Sequence, residues 1–342
     1  MTLFRRVHRI ALTFAAACLL APSAMAQGEV NVYSSRHYDT DDKLYALFTE
    51  KTGIEVNVIE GGADELLTRL NREGELSPGD VFIAVDAGRL QKAVDQGALQ
   101  PVASDVLAER IPDELRHPDG LWFGLSKRAR VIFLSDRVPA NLVDSYESLA
   151  DPYLGKIVLI RSSQNIYNQS LLASMIAQQG QEVAEAWAEG IVANMARTPQ
   201  GGDTDQLRAL AAGEGDIAVA NHYYFCRMLE RGNDADRAAA ESLTLVFPNQ
   251  GDRGTHVNVS GAGVLRHAPN RENAIALLEF LTTPEAQELY ALANYEYPVV
   301  NDVELTPVLT RLGEFDADEL NAGELGRLNR EAVRTMDRAG WR

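Results

Sequence analysis

Two adjacent tyrosines, Tyr223 and Tyr224, stand in "ANHYYFCRMLE" at the foot of an apparent helix. In mid-strand, neighbouring side chains point to opposite faces and could not share a ligand. At a helix N-terminus they sit about 100° apart and converge beyond the helix end. Asn221 offers an N-cap, and "GDIAVA" reads as the strand feeding the helix. Ligands in open α/β sheets bind beyond the carboxyl ends of strands, where this turn should lie. The helix dipole there favours phenolate over phenol. A phenol has a pKa near 10 and is a poor ligand for ordinary divalent ions. A hard, highly charged cation reverses that balance, and ferric iron is the common biological one. The competing reading puts one tyrosine in the core and the other on the surface.

Cys226 follows at the same helix start, where a thiolate is expected to be favoured. Its presence leaves open a cysteine-dependent transferase or hydrolase. Other motifs fail. "DTDDKLYALFTE" has the acids of a calcium loop but lacks its central glycine. Gly261-Ala262-Gly263 is too short for a dinucleotide loop. The histidines show no zinc spacing.

The elements that must position these residues alternate. "EVNVYSS", "IEVNVIEG" and "GDVFIAV" read as strands, each followed by an amphipathic helix. "RARVIFLS" from Arg128, "GKIVLI" from Gly155, "GDIAVAN" and "VNVSGAGVL" read as later strands, with a helix from about Asn168 to Gln179. This alternation predicts an α/β fold with a mainly parallel sheet. The segment "ENAIALLEFLTTPEAQELYALA" is helical with a break at Thr283-Pro284, and the last forty or so residues read as helix.

The first 26 residues read as an export signal. Arg5, Arg6 and Arg9 precede an apolar stretch from Ile10 to Leu20, and Ala24-Met25-Ala26 forms a small-x-small cleavage site. The apolar stretch is too short to span a bilayer. The 342-residue chain carries a formal charge of −17, and losing the basic leader makes it more acidic still. Such a chain repels nucleic acid and anionic lipid. Cys18 departs with the leader, so the mature chain has no intrachain disulfide, and its length suggests about two domains.

"GDVFIAVDAGRLQKAVDQGALQPV", "ENAIALLEFLTTPEAQ" and "YEYPVV" together resemble type II periplasmic solute-binding proteins of ABC importers. "YSSRHYDTD", "NIYNQS" and "NHYYF" resemble the ferric-iron-binding, bacterial-transferrin-like branch. The resemblance implies a two-lobe α/β fold with a central ligand cleft and two interlobe crossings, near Leu125–Ala129 and 253–259. It implies lobe 1 at 27–126 plus 257–300, lobe 2 at 127–256, and a C-terminal helical segment at 301–342 packed on both. It also implies Fe3+ as the transported ligand, held by Tyr38, Tyr167, Tyr223 and Tyr224, with His37 as a possible fifth ligand. Arg128, Arg130 and Arg227 are then the cations that offset the excess negative charge. The implied partner is an inner-membrane ABC permease, and the protein is expected to be a periplasmic monomer without enzyme activity. The alternative is a binder of an organic cation or small anion, with the tyrosines as an aromatic wall.

Overall fold

A computed structural model describes residues 28–36, 38, 41–139 and 141–342. The expected signal at 1–26 and His37 lie outside the described residues. The strands are β1 Glu29–Ser34, β2 Glu55–Glu60, β3 Val81–Ala84, β4 Phe123–Leu134, β5 Val158–Leu159, β6 Ile217–Asn221, β7 Thr244–Val246 and β8 Val257–Val264. They form one path in the order β2-β1-β3-β8-β4-β6-β5, with β7 also on β4.

β1 pairs in parallel with β2 and β3, and β5 with β6. The pairings of β3 with β8, and of β4 with β8, β6 and β7, are antiparallel. The sheet is therefore mixed rather than mainly parallel. β8 and β4 carry the chain across the middle of the molecule, and such crossing strands run against their neighbours.

β4 begins at Phe123, five residues before the strand expected from Arg128. Its early residues pair with β8 through Ala129, past a register shift between Gly124 and Ser126. From Arg130 onward it pairs with β6. One strand therefore serves two hydrophobic cores. Val32, Phe82, Leu125 and Val264 belong to the first, under helices Asp41–Thr52, Ala87–Asp95 and Arg271–Leu281. Beyond Ala129 the side chains of β4 alternate between two clusters. Ile132 and Leu134 pack with helices Ile166–Gln179 and Gln181–Asn194, whereas Val131 and Phe133 pack with helices Asp203–Ala211 and His222–Arg231.

The break expected at Thr283-Pro284 separates helix Arg271–Leu281 from helix Pro284–Asn294. The Thr283 side chain caps the second helix by accepting from the Ala286 N–H, and Pro284 fills a first-turn position that needs no N–H. The tail then returns across both cores. Ala322 and Leu325 are buried in the first, and Ala332, Met336 and Trp341 in the second. Gly326 permits this crossing, because a Cβ there would come within 2.2 Å of the Gln91 side chain.

Candidate metal centre

The tyrosines arrive on three separate elements. Tyr38 lies in the turn between β1 and helix Asp41–Thr52, where its carbonyl accepts from the Asp41 N–H at 2.8 Å. Tyr167 is in the first turn of helix Ile166–Gln179, whose N-cap Asn165 accepts from the Asn168 N–H. Tyr223 and Tyr224 open helix His222–Arg231 directly after β6.

Their rings meet. The Tyr167 and Tyr223 hydroxyls are 3.4 Å apart. The Tyr223 and Tyr224 rings stack at 4.2 Å. Tyr38 lies beneath the Arg36 guanidinium, 4.8 Å from its ring centre. Burial, followed by the nearby phenols of Tyr167, Tyr224 and Tyr38, pushes the Tyr223 hydroxyl well above its ordinary pKa. Burial also raises Tyr224, helped by Tyr167 and Asp203. Tyr38 is pushed up to about 12 by burial and then by Glu296, against the pull of Arg36 and Arg128. Desolvation thus outweighs any help from the helix dipole, and these three phenols are protonated at neutral pH in the metal-free protein.

Ser126, Arg128 and Arg130 alternate along one face of β4. Arg128 is almost fully buried, and its Nη2 donates to Ser260 Oγ at 2.5 Å. Its Nε and Nη1 have no hydrogen-bond partner among the described residues. Burial alone would lower its pKa, yet Glu296, Tyr167, Tyr223 and Tyr38 together raise it. Arg130 is spoken for: it donates to Asp203 at 2.6 Å, Asn168 at 2.7 Å and Asn221 at 3.1 Å. Arg227 is exposed and does not pair with Glu230, which instead accepts from Arg311 at 2.9 Å.

Two expectations change at this helix. Asn221 occupies the N-cap position, but its side chain makes no cap hydrogen bond because Arg130 claims its oxygen. Cys226 is fully buried beside Tyr297, Val308 and Leu309. Burial pushes its thiol up to about 12, so the thiolate expected at the helix start is suppressed. His222 is a structural fastener. Its Nδ1 accepts from the Ala129 N–H at 3.1 Å, which leaves Nε2–H to donate to the Tyr295 carbonyl at 2.7 Å.

Burial pushes the His222 pKa down to about 4. The unfolded ring takes a proton near pH 6.5 and the folded ring does not. His222 therefore contributes stability that is complete above pH 6.5 and is lost as pH falls toward 4, by roughly 3 kcal/mol. We expect its imidazole NMR signals to stay those of the neutral ring at pH 5.5. A midpoint between pH 6 and 7 would contradict this account.

Sequence reasoning passed over two residues inside the motifs it singled out. Arg36 of "SRHYDTD" is buried and donates to Asp41 through Nε and Nη2. Its Nη1 reaches Ser260 at 2.8 Å and Glu296 at 3.1 Å. Glu296 of "YEYPVV" also accepts from Ser126 Oγ. The turn carrying Tyr38 is thereby fixed to both crossing strands. Burial would lower the Arg36 pKa, but Asp41 and Glu296 hold it well above its usual value. The signal that could have found them is a lone arginine and a lone glutamate inside otherwise apolar or ligand-bearing motifs. Among the described residues, no group of three or more His, Cys, Asp or Glu could hold a metal. A cation at this place meets phenol oxygens.

The two halves touch beside the tyrosines. Asp86, the N-cap of helix Ala87–Asp95, accepts from Ser170 Oγ at 3.1 Å and Asn258 Nδ2 at 2.7 Å.

Comparison with known proteins agrees with this architecture. The family of bacterial extracellular solute-binding proteins matches residues 77–311. The iron uptake protein A1 of Synechocystis sp. is 49% identical, over 94% of this chain and 90% of its own. A Trichodesmium FutA (IdiA) structure, solved with iron and citrate ligands, superposes with a TM-score of 0.90 at 51% identity, covering 92% of this chain and 100% of that one. The ferric binding protein of Campylobacter jejuni superposes with a TM-score of 0.85 at 40% identity, over 92% and 100% of the two chains. Two cores sharing β4 and these likenesses lead to one assignment: the chain belongs to the bacterial extracellular solute-binding proteins and has their two-lobe type II fold.

Proposed function

We propose that the protein captures Fe3+ in the periplasm through tyrosine phenolates and delivers it to an inner-membrane ABC permease, without catalysing a reaction. The observation that carries this reading is the crowding of Tyr38, Tyr167, Tyr223 and Tyr224 at one partly buried place beside Arg128. Burial and neighbouring phenols raise Tyr38, Tyr223 and Tyr224, so these ionise together only around a strongly charged cation. Four phenolates around a trivalent ion leave one excess negative charge, and Arg128 is positioned to offset it. His37, next to Tyr38 in the chain, is the proposed fifth ligand.

In this reading lobe 1 is 27–126 with 257–300, lobe 2 is 127–256, and 301–342 packs on both. Ligands from both lobes make the closed form the iron-loaded form, which a permease can distinguish from the open one. The iron-named relatives support the choice of cargo. Adding ferric citrate to iron-free protein should produce a visible phenolate-to-iron band that saturates at one ion per chain. A protein that stays colourless and iron-free by metal analysis would reject the site and favour an organic ligand.

A further inference from the structure

Ser260 Oγ accepts from two cations at once. Arg36 Nη1 reaches it at 2.8 Å and Arg128 Nη2 at 2.5 Å. Ser260 lies on β8 opposite Ser126 of β4, where the two crossing strands pair. Each guanidinium faces a different tyrosine. Arg36 lies 4.8 Å from the Tyr38 ring centre, and Arg128 lies 5.7 Å from that of Tyr167. A hydroxyl oxygen has two lone pairs, and both are committed here.

This arrangement leaves one attraction unused. Glu296 Oε2 accepts from Ser126 Oγ and Arg36 Nη1, but its Oε1 has no hydrogen-bond partner among the described residues. Nε and Nη1 of Arg128 are equally unpaired. Both side chains are buried, as is Ser260. Glu296 is the charge that most favours the Arg128 cation, yet no hydrogen bond joins the two. A bare carboxylate oxygen and bare guanidinium nitrogens are costly away from water, and pairing them would relieve both. Some contact must therefore keep Arg128 from turning to Glu296. Among the described residues, the one hydrogen bond that the Arg128 side chain makes is to Ser260.

We propose that Ser260 is a positioning residue for metal capture: its hydroxyl holds Arg128 against the tyrosines and away from Glu296, so that the arginine's charge remains available to the phenolates. This rests on the ferric reading of the tyrosine site. Ser260 acts through Arg128. Without its oxygen, the guanidinium neutralises Glu296 instead of the excess negative charge at the metal.

The test compares S260A with the parent, E296Q and S260A/E296Q. Ala keeps the strand and removes only the oxygen. A crystal structure of iron-free S260A should show Arg128 paired with Glu296 within about 4 Å. Ferric affinity, measured by colour in competition with nitrilotriacetate, should fall by about tenfold or more. The melting temperature of the iron-free variant should stay within about 3 °C of the parent's, because the new ion pair replaces the lost hydrogen bonds. E296Q removes the competing carboxylate, so it should raise ferric affinity more in the S260A background than in the parent. Arg128 remaining over Tyr167 in S260A would overturn the proposal. So would equal effects of E296Q in the two backgrounds, or a joint loss of stability and affinity that E296Q does not rescue. If the parent binds no iron, the ferric reading fails, and the S260A structure alone decides whether Ser260 keeps the two charges apart.

Discussion

The double variant Y223F/Y224F is expected to lose iron-dependent colour and nearly all ferric affinity while remaining folded. Phe keeps each ring and removes only the oxygen. Among the described residues the Tyr223 hydroxyl meets the Tyr167 hydroxyl at a long 3.4 Å, so its loss should cost about 1 kcal/mol of stability. The rings themselves stack at 4.2 Å and remain in place. The loss of metal binding is of another order, because two of four anionic donors disappear. Each single change should weaken binding by more than the roughly 10–100-fold typical of losing an outer hydrogen-bond partner of a metal ligand.

Proton release gives an independent readout. Both phenols are raised above their ordinary pKa in the metal-free protein, so each must shed a proton to ligate. Affinity should fall as pH falls, with a steepness that counts the protons released. The double variant should lower that count by about two. Iron titrations at several pH values, beside parallel thermal melts, measure both quantities. Parental colour and affinity in the double variant would reduce the pair to packing residues.

R36M is expected to be among the most destabilising single substitutions in the molecule. Met fills much of the space but carries no charge, leaving Asp41 and Glu296 buried without their cation. Breaking a buried ion pair by removing one partner costs about 3–5 kcal/mol. For a chain of this size the unfolding midpoint should drop by roughly 10 °C. Adding E296Q should recover part of the loss, because the second change removes the orphaned charge. A double-mutant cycle of R36M and E296Q should therefore show a coupling energy above about 1 kcal/mol. Additive effects would mean that Arg36 acts through Asp41 alone.

These residues also mark how far the sequence could be read. The strands β1 to β3 follow from short local runs, alternating in β1 and β2 and continuously apolar in β3, and their ends were legible to within two residues. The three tyrosine motifs could be read because ring, neighbours and helix start all lie within a few positions. Arg36 and Glu296 could not be paired in the same way, since 260 positions separate them and only the fold brings them to 3.1 Å. The beginning of β4 was hidden for a related reason. Phe123 to Lys127 show no clean alternation because that stretch is buried among β8 and neighbouring helices, and full burial erases the pattern that exposure creates. Cys226 was misjudged because a helix start indicates only a dipole, whereas its apolar surroundings come from Tyr297, Val308 and Leu309, far along the chain. At Asn221 the cap position was legible, but a competing donor, Arg130, was not.

The returning tail has a consequence for how the molecule comes into being. Leu325 completes one hydrophobic core and Trp341 completes the other. Neither half can finish folding before the segment that carries these two residues is in place. The first half lacks its closing helix until residue 325 is available, and the second lacks the Trp341 indole that donates to the Arg161 carbonyl at 2.9 Å. Domains usually fold in order from the N-terminus as they emerge. Here both halves depend on one short segment, Ala322 to Trp341, so neither is fully packed without it and the two reach their native state almost together.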